Sequence, residues 1–230
     1  MIRETISKLH RELPATVKLV AVSKFHPFEA IEEAYHAGQR TFGESRPQEL
    51  LAKVRRLEEI RAERGEPDYM SDIEWHFIGH LQTNKLKFVL PYAHLVQSVD
   101  SSHLLDAINA WGKSAGKKIN VLLEMHVAAE DSKQGFAEEE ILDILFRADS
   151  YSHINFCGLM GMATFTDDEE CIRADFARIS DYFAYLKDLF PELESFKELS
   201  IGMSSDYLIA LEYDATIVRV GTSIFGERQY

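Results

Sequence analysis

Two rhythms alternate along this chain. Short, nearly continuous apolar runs are separated by longer stretches in which apolar residues recur every three or four positions. The first run, Val17, Leu19, Val20, Ala21 and Val22, is rich in β-branched residues and suits a strand buried on both faces of a parallel sheet. Ahead of it, Ile2, Ile6, Leu9 and Leu13 predict a helix over 1–12. Behind it, Pro27 opens a helical pattern over 28–37 that Gly38 stops, and a short strand follows over 40–43. Pro47 begins a long helix to about 64, with Leu50, Leu51, Val54, Leu57 and Ile60 on one stripe. Its Lys, Arg and Glu face reads as solvated surface, and Gly65 ends it. Further strands are predicted over 73–79, 94–99, 119–126, 154–160, 196–200 and 216–220. Helices are predicted over 83–89, 101–112, 138–148, 167–190 and 204–212, with Ser101 as an N-cap.

Strands alternating with helices imply right-handed βαβ units and a parallel sheet. Eight such units in 230 residues close most naturally into a (β/α)8 TIM barrel with an extra N-terminal helix. A doubly wound open sheet is disfavoured, because no Gly-x-Gly-x-x-Gly follows the first strand. No linker or low-complexity stretch interrupts the pattern, so residues 1–230 are expected to form one domain.

Composition narrows the function classes. Apolar residues make up 46% of the chain, enough for a large core, and the net charge is −13. That charge disfavours the basic footprint nucleic acids require and adhesion to an anionic membrane surface. No apolar run reaches the roughly 20 residues of a membrane span, and residues 1–8 lack the apolar region of a signal peptide. Cys157 and Cys171 form neither a disulfide framework nor a zinc motif, and His103, His126 and His153 are isolated from other ligand types. The expectation is a monomeric cytoplasmic protein with no metal, nucleic-acid or membrane partner.

A barrel places its chemistry at the C-terminal ends of the strands, with phosphate held by the loops after strands seven and eight. Lys24 steps directly off strand one. After strand seven comes Ser200-Ile-Gly-Met-Ser-Ser-Asp206, and after strand eight Arg219-Val-Gly-Thr-Ser-Ile-Phe-Gly226. Taken singly, these are an ordinary strand-end lysine, a helix cap and a tight turn. Together, Gly202, Ser204, Ser205, Gly221 and Thr222 make a donor-rich phosphate cradle, with Lys24 across from it. A desolvated lysine amine forms Schiff bases with aldehydes. An aldehyde carried on a phosphorylated molecule points to pyridoxal 5′-phosphate (PLP).

Several segments then carry a family resemblance. They are Ala21-Val-Ser-Lys24, Phe42-Gly-Glu44, Trp75-His-Phe-Ile-Gly79 with Leu81-Gln82 and Asn84-Lys85, Gly158-Leu-Met160, Leu199 to Ser204 with Asp206, and Val218 to Thr222 with Ile224 to Arg228. In this order and over nearly the whole chain, they resemble the pyridoxal phosphate homeostasis protein family, barrels similar to the N-terminal domain of alanine racemase. The resemblance implies that Lys24 is the Schiff-base lysine. It implies that Ser204, Gly221 and Thr222 hold the phosphate with Ser200 close by, and that Arg219 faces the pyridine nitrogen. Ser45 and His76 are further expected cofactor contacts. Two positions depart from the family: Ser45 where it usually has Asn, and His80 where it usually has Pro. Lys133, before Gly135, is either a surface residue or a second docking point for the aldehyde.

A guanidinium beside the pyridine nitrogen disfavours its protonation, which weakens the ring as an electron sink. Racemases of this fold add a second domain with a tyrosine base, for which this chain, ending at Tyr230, leaves no room. The expectation is a non-enzymatic protein that holds PLP, buffers it and delivers it to PLP-dependent apo-enzymes. The alternative is a weak PLP-dependent racemase or decarboxylase.

Overall fold

The structure, a computed structural model, describes residues 1–128 and 134–226. Helix α1 (Ile2–Glu12) leads into strand β1 (Lys18–Val22). The chain then alternates through α2 (Phe28–His36), β2 (Thr41–Glu44), α3 (Pro47–Arg64), β3 (Glu74–Phe77), α4 (Leu86–Val89), β4 (Ala93–Val99), α5 (Ser102–Ala115) and β5 (Ile119–Glu124). It continues through α6 (Glu138–Phe146), β6 (Ile154–Met160), α7 (Glu169–Leu189), β7 (Glu198–Ser200), α8 (Tyr207–Leu211), β8 (Ile217–Val220) and α9 (Thr222–Phe225). The eight strands pair in parallel and in chain order, and β8 closes on β1, with Ala21 opposite Val220. This is the expected (β/α)8 barrel, and α1 is the expected extra helix, packed on α2 and α9 through Ile6, Leu9 and Leu13.

Strand side chains alternate between two cores, as the period of two requires. Leu19, Ala21, Val96, Val121, Leu123, Val218 and Val220 face outward into the large core beneath the helices. Their neighbours Val20, Leu95, Leu122, Met160 and Ile217 form a small apolar cluster inside the barrel. The rest of the interior is polar, because the buried His76, Gln97, Ser200 and Arg219 share it.

The differences from expectation lie at element ends. Helix α5 runs through Gly112 to Ala115, because Gly112 packs where a Cβ would lie 2.9 Å from His153 Cβ. Helix α8 begins at Tyr207 rather than 204, because residues 203–206 make a turn closed by the Asp206 carboxylate on Met203 N–H. Residues 196–197 belong to a turn ahead of β7, and 222–225 wind into the short α9 that the pattern did not announce.

One correction concerns α3. Its polar face was read as solvated, but Lys53 on it is only 6% exposed. It is drawn inward because all three ammonium donors find buried or half-buried acceptors.

Candidate functional site

Closure of the barrel sets the geometry. Since β8 pairs with β1, the loop after β8 lies beside Lys24, not across from it. A Cβ on Gly221 would stand 3.1 Å from Val22 Cβ, two residues before Lys24. Ser204 Oγ accepts the Gly221 N–H at 3.1 Å, so the loops after β7 and β8 meet there. Gly202 makes that approach possible. Its φ of +89° lies in the left-handed region, and a Cβ would stand 2.6 Å from Ala210 Cβ. Lys24, Ser204 and Gly221 are half-buried and Thr222 is exposed, so all four lie at the surface of the barrel's end near β1 and β8.

Below this mouth lies Arg219, only 5% exposed. Its Nη1 donates to Ser200 O at 2.8 Å and Ser200 Oγ at 2.6 Å, and its Nη2 to Gly161 O at 3.0 Å. Nε has no hydrogen-bond partner among the described residues. Burial pulls the Arg219 guanidinium down to about 10, against the pull of the Glu124 and Asp206 carboxylates, so it remains cationic at neutral pH.

From Arg219 a chain of hydrogen bonds crosses the barrel. Ser200 O–H donates to Gln97 Oε1 at 2.7 Å, and Gln97 Nε2 meets His76 Nδ1 at 2.8 Å. Because Arg219 can only donate, every bond in the chain points the same way, and His76 Nδ1 must accept. His76 is therefore a neutral imidazole carrying its proton on Nε2. Burial, with Lys18 and His94 nearby, pushes it well below the usual histidine range. Its Nε2 is buried without a hydrogen-bond partner among the described residues.

Ser200 and His76 are fully buried inside the barrel, and the hydrogen-bond chain through Gln97 links both to Arg219. Ser45 follows β2 at the mouth end, half-buried. Its backbone backs onto Gly79, where a Cβ would lie 2.2 Å from Ser45 O. His80 contacts Asp100 through Nδ1 at 2.9 Å on the rim. Lys133 and Arg228 lie outside the described residues.

Three groups escaped sequence reasoning: Gln97, Gly161 and Glu124. The signal for Gln97 was a polar pair, Gln97-Ser98, interrupting the apolar residues of its strand. Glu124 ends β5, where burial, reinforced by Asp100, lifts its carboxyl to about 7 against the opposing pull of Arg219 and His80. The folded state therefore holds this proton more tightly than the unfolded chain. Stability is unaffected below the ordinary glutamate value and falls as pH rises through about 7. Glu124→Gln is expected to abolish that fall. It should stabilise the protein by up to about 3 kcal/mol above neutrality, for a rise from 4.5 to about 7, and change little in acid. Urea unfolding across the pH range measures this, and equal gains at acid and alkaline pH would refute it.

The donor set suits a phosphorylated aldehyde: a lysine amine, a serine hydroxyl and glycine amide already in contact, and a fixed cation behind them. Fold and site together define a barrel of the alanine racemase N-terminal kind. Residues 1–229 match the family described as alanine racemase, N-terminal domain. The pyridoxal phosphate homeostasis protein of Pasteurella multocida is 37% identical over 94% of this chain and 88% of its own. That of Homo sapiens is 35% identical over 100% of this chain and 83% of its own. PipY of Synechococcus elongatus PCC7942, solved with PLP bound, superposes with a TM-score of 0.86 at 34% identity, covering 98% of this chain and 100% of that one. The chain belongs to the alanine racemase N-terminal domain family and, within it, to the pyridoxal phosphate homeostasis proteins. An alanine racemase of Clostridium difficile 630 shares the fold alone, with a TM-score of 0.75 at 14% identity over 57% of its length.

Proposed function

We propose that this chain is a monomeric, single-domain, cytoplasmic PLP carrier that holds the cofactor on Lys24, buffers it and passes it to PLP-dependent apo-enzymes. The observation that carries this reading is the meeting of Ser204 Oγ and Gly221 N–H beside the end of β1, one step from Lys24. The homeostasis role of its relatives and the PLP bound in PipY support it. Bound here, PLP would supply an aldehyde and an electron-withdrawing ring.

The chain's own groups divide the remaining work. Ser204 O–H, Gly221 N–H and Thr222 hold the phosphate, and the Gly221 amide exchanges its 3.1 Å bond to Ser204 for a charged acceptor. Arg219, fixed by Ser200 and Gly161, would turn its unengaged Nε to the pyridine nitrogen. Its charge would disfavour protonation of that nitrogen, which suits binding over turnover. Ser45 lines the mouth from β2.

Ser204→Ala tests the cradle. Losing one charge-assisted hydrogen bond, worth roughly 1.5–3 kcal/mol, is expected to weaken PLP binding about 10- to 150-fold. Pyridoxal without phosphate should bind as before. Equal weakening of both ligands would make the serine a purely structural residue.

A further inference from the structure

Behind Lys24 lies a buried charged cluster to which the cradle and Arg219 do not belong. Lys53 Nζ, one turn after Glu49 on α3, donates to Ser23 O at 2.8 Å, Glu44 Oε1 at 2.6 Å and Glu49 Oε1 at 2.9 Å. An ammonium has three donors, so all of them are spent. Ser23 Oγ donates to the same Glu44 oxygen at 2.6 Å. Glu49 Oε1 also accepts the Phe25 backbone N–H at 2.5 Å. Phe25 has a φ of 68°, a left-handed conformation that a bulky residue adopts only when its surroundings impose it. Arg46 lies over its ring, 4.4 Å from the centroid.

The pattern of backbone contacts is selective. The cluster grips the carbonyl of residue 23 and the amide of residue 25, and so brackets residue 24 from both sides. Lys53 is 7% and Glu44 0% exposed at the side chain, while Glu49 is 20% exposed. A buried ion pair adds little stability over a well-packed apolar pair. Its use here lies in direction: two charged side chains of one helix aim at the two peptide groups that set where Lys24 Cα points.

We propose that Lys53 and Glu49, with Glu44 as their buried counter-charge, are positioning residues that hold the Lys24 amine for capture of a phosphorylated aldehyde. This rests on the reading of Lys24 given above. In the capture, the neutral Lys24 amine forms a C=N bond to the aldehyde carbon. The aldehyde oxygen leaves as water with the two amine protons, and nothing is oxidised or reduced. Holding the nitrogen in line accelerates that step without changing how the phosphate docks.

The test compares two ligands on the full-length protein. PLP requires the lysine. Pyridoxine 5′-phosphate, which has the phosphate and ring but no aldehyde, requires only the cradle. The variants are Glu49→Ala, Glu49→Gln, and the double variant Lys53→Met with Glu44→Gln, which removes the buried charges together so that none is stranded. Thermal unfolding reports whether each variant folds. Glu49→Ala and the double variant are expected to slow PLP capture on the order of tenfold, followed as borohydride-fixed mass on the Lys24 peptide. Their affinity for pyridoxine 5′-phosphate should stay unchanged. Glu49→Gln, which keeps an acceptor for Phe25 N–H, should recover most of the rate. Wild-type capture rates in folded variants would overturn the proposal, and so would a parallel loss of both ligands. A wild-type protein that takes up no label on Lys24 would instead overturn the reading of Lys24 itself.

Discussion

Borohydride treatment of the PLP-saturated protein is expected to fix the cofactor's mass on the peptide containing Lys24, and Lys24→Ala to abolish the label completely. The expectation follows from position. Lys24 is the residue that emerges where β1 ends, and the β8 pairing sets the Gly221 turn against Val22, two residues earlier. A molecule whose phosphate rested on Ser204 and Gly221 would lie beside the loop that carries Lys24. Lys53 lies under the same loop but cannot compete, because its ammonium is buried and its three donors are engaged. Peptide mapping by mass spectrometry decides the matter. Label on another lysine, Lys133 among them, with Lys24 unmodified, would reject the assignment. The loss on Lys24→Ala should be all-or-none for covalent label. Pyridoxine 5′-phosphate should bind the variant nearly as well as the wild type.

The barrel was legible because short, mainly apolar runs such as β1 alternate with stretches of helical periodicity, and these signals are local. Lys24 stood out as a charge placed directly after such a run. Ser204, Gly221 and Thr222 stood out because glycine and hydroxyl residues clustered after the last two strands. What sequence did not disclose depends on closure. Glu49 and Lys53 look like any i, i+4 pair on a solvated helix face. Only the packing of α3 over the ends of β1 and β2 turns them onto Ser23 and Phe25. Ser200 and Gln97 are 103 positions apart, on strands that do not pair, and touch only because the sheet is a cylinder. The same closure corrects the place of Lys24. Strands one and eight are distant in the chain and adjacent in the barrel.

The protein is expected to pass PLP to an apo-enzyme while turning over amino acids more slowly than the ordinary enzymatic rate of about 1 s⁻¹. Carbanion chemistry on this cofactor calls for an acid facing the pyridine nitrogen, and in the proposed site Arg219 would face it with a cation. That cation is not adjustable. It is bound to Ser200 and Gly161 and remains charged with its value near 10. Ser200, Gln97 and His76 repeat its donor direction across the whole barrel. Lys24, meanwhile, is only half-buried and Thr222 is exposed, so water and incoming amines can reach the bound aldehyde, which suits exchange. Arg219→Glu would seem to supply the missing acid, but the structure predicts a different outcome. A carboxylate there would join Glu124 and Asp206 in one buried volume, take away the Arg219 donor that Gly161 O accepts, and leave the Ser200 carbonyl with the Gly161 N–H alone. The cost should be about 3–5 kcal/mol of stability, with no gain in turnover. Mixing PLP-loaded protein with a PLP-dependent apo-enzyme, against a free-PLP control, follows the transfer, and a screen of D- and L-amino acids follows turnover. Fast turnover by the wild type, or a stable and more active Arg219→Glu, would show that the guanidinium does not govern this chemistry.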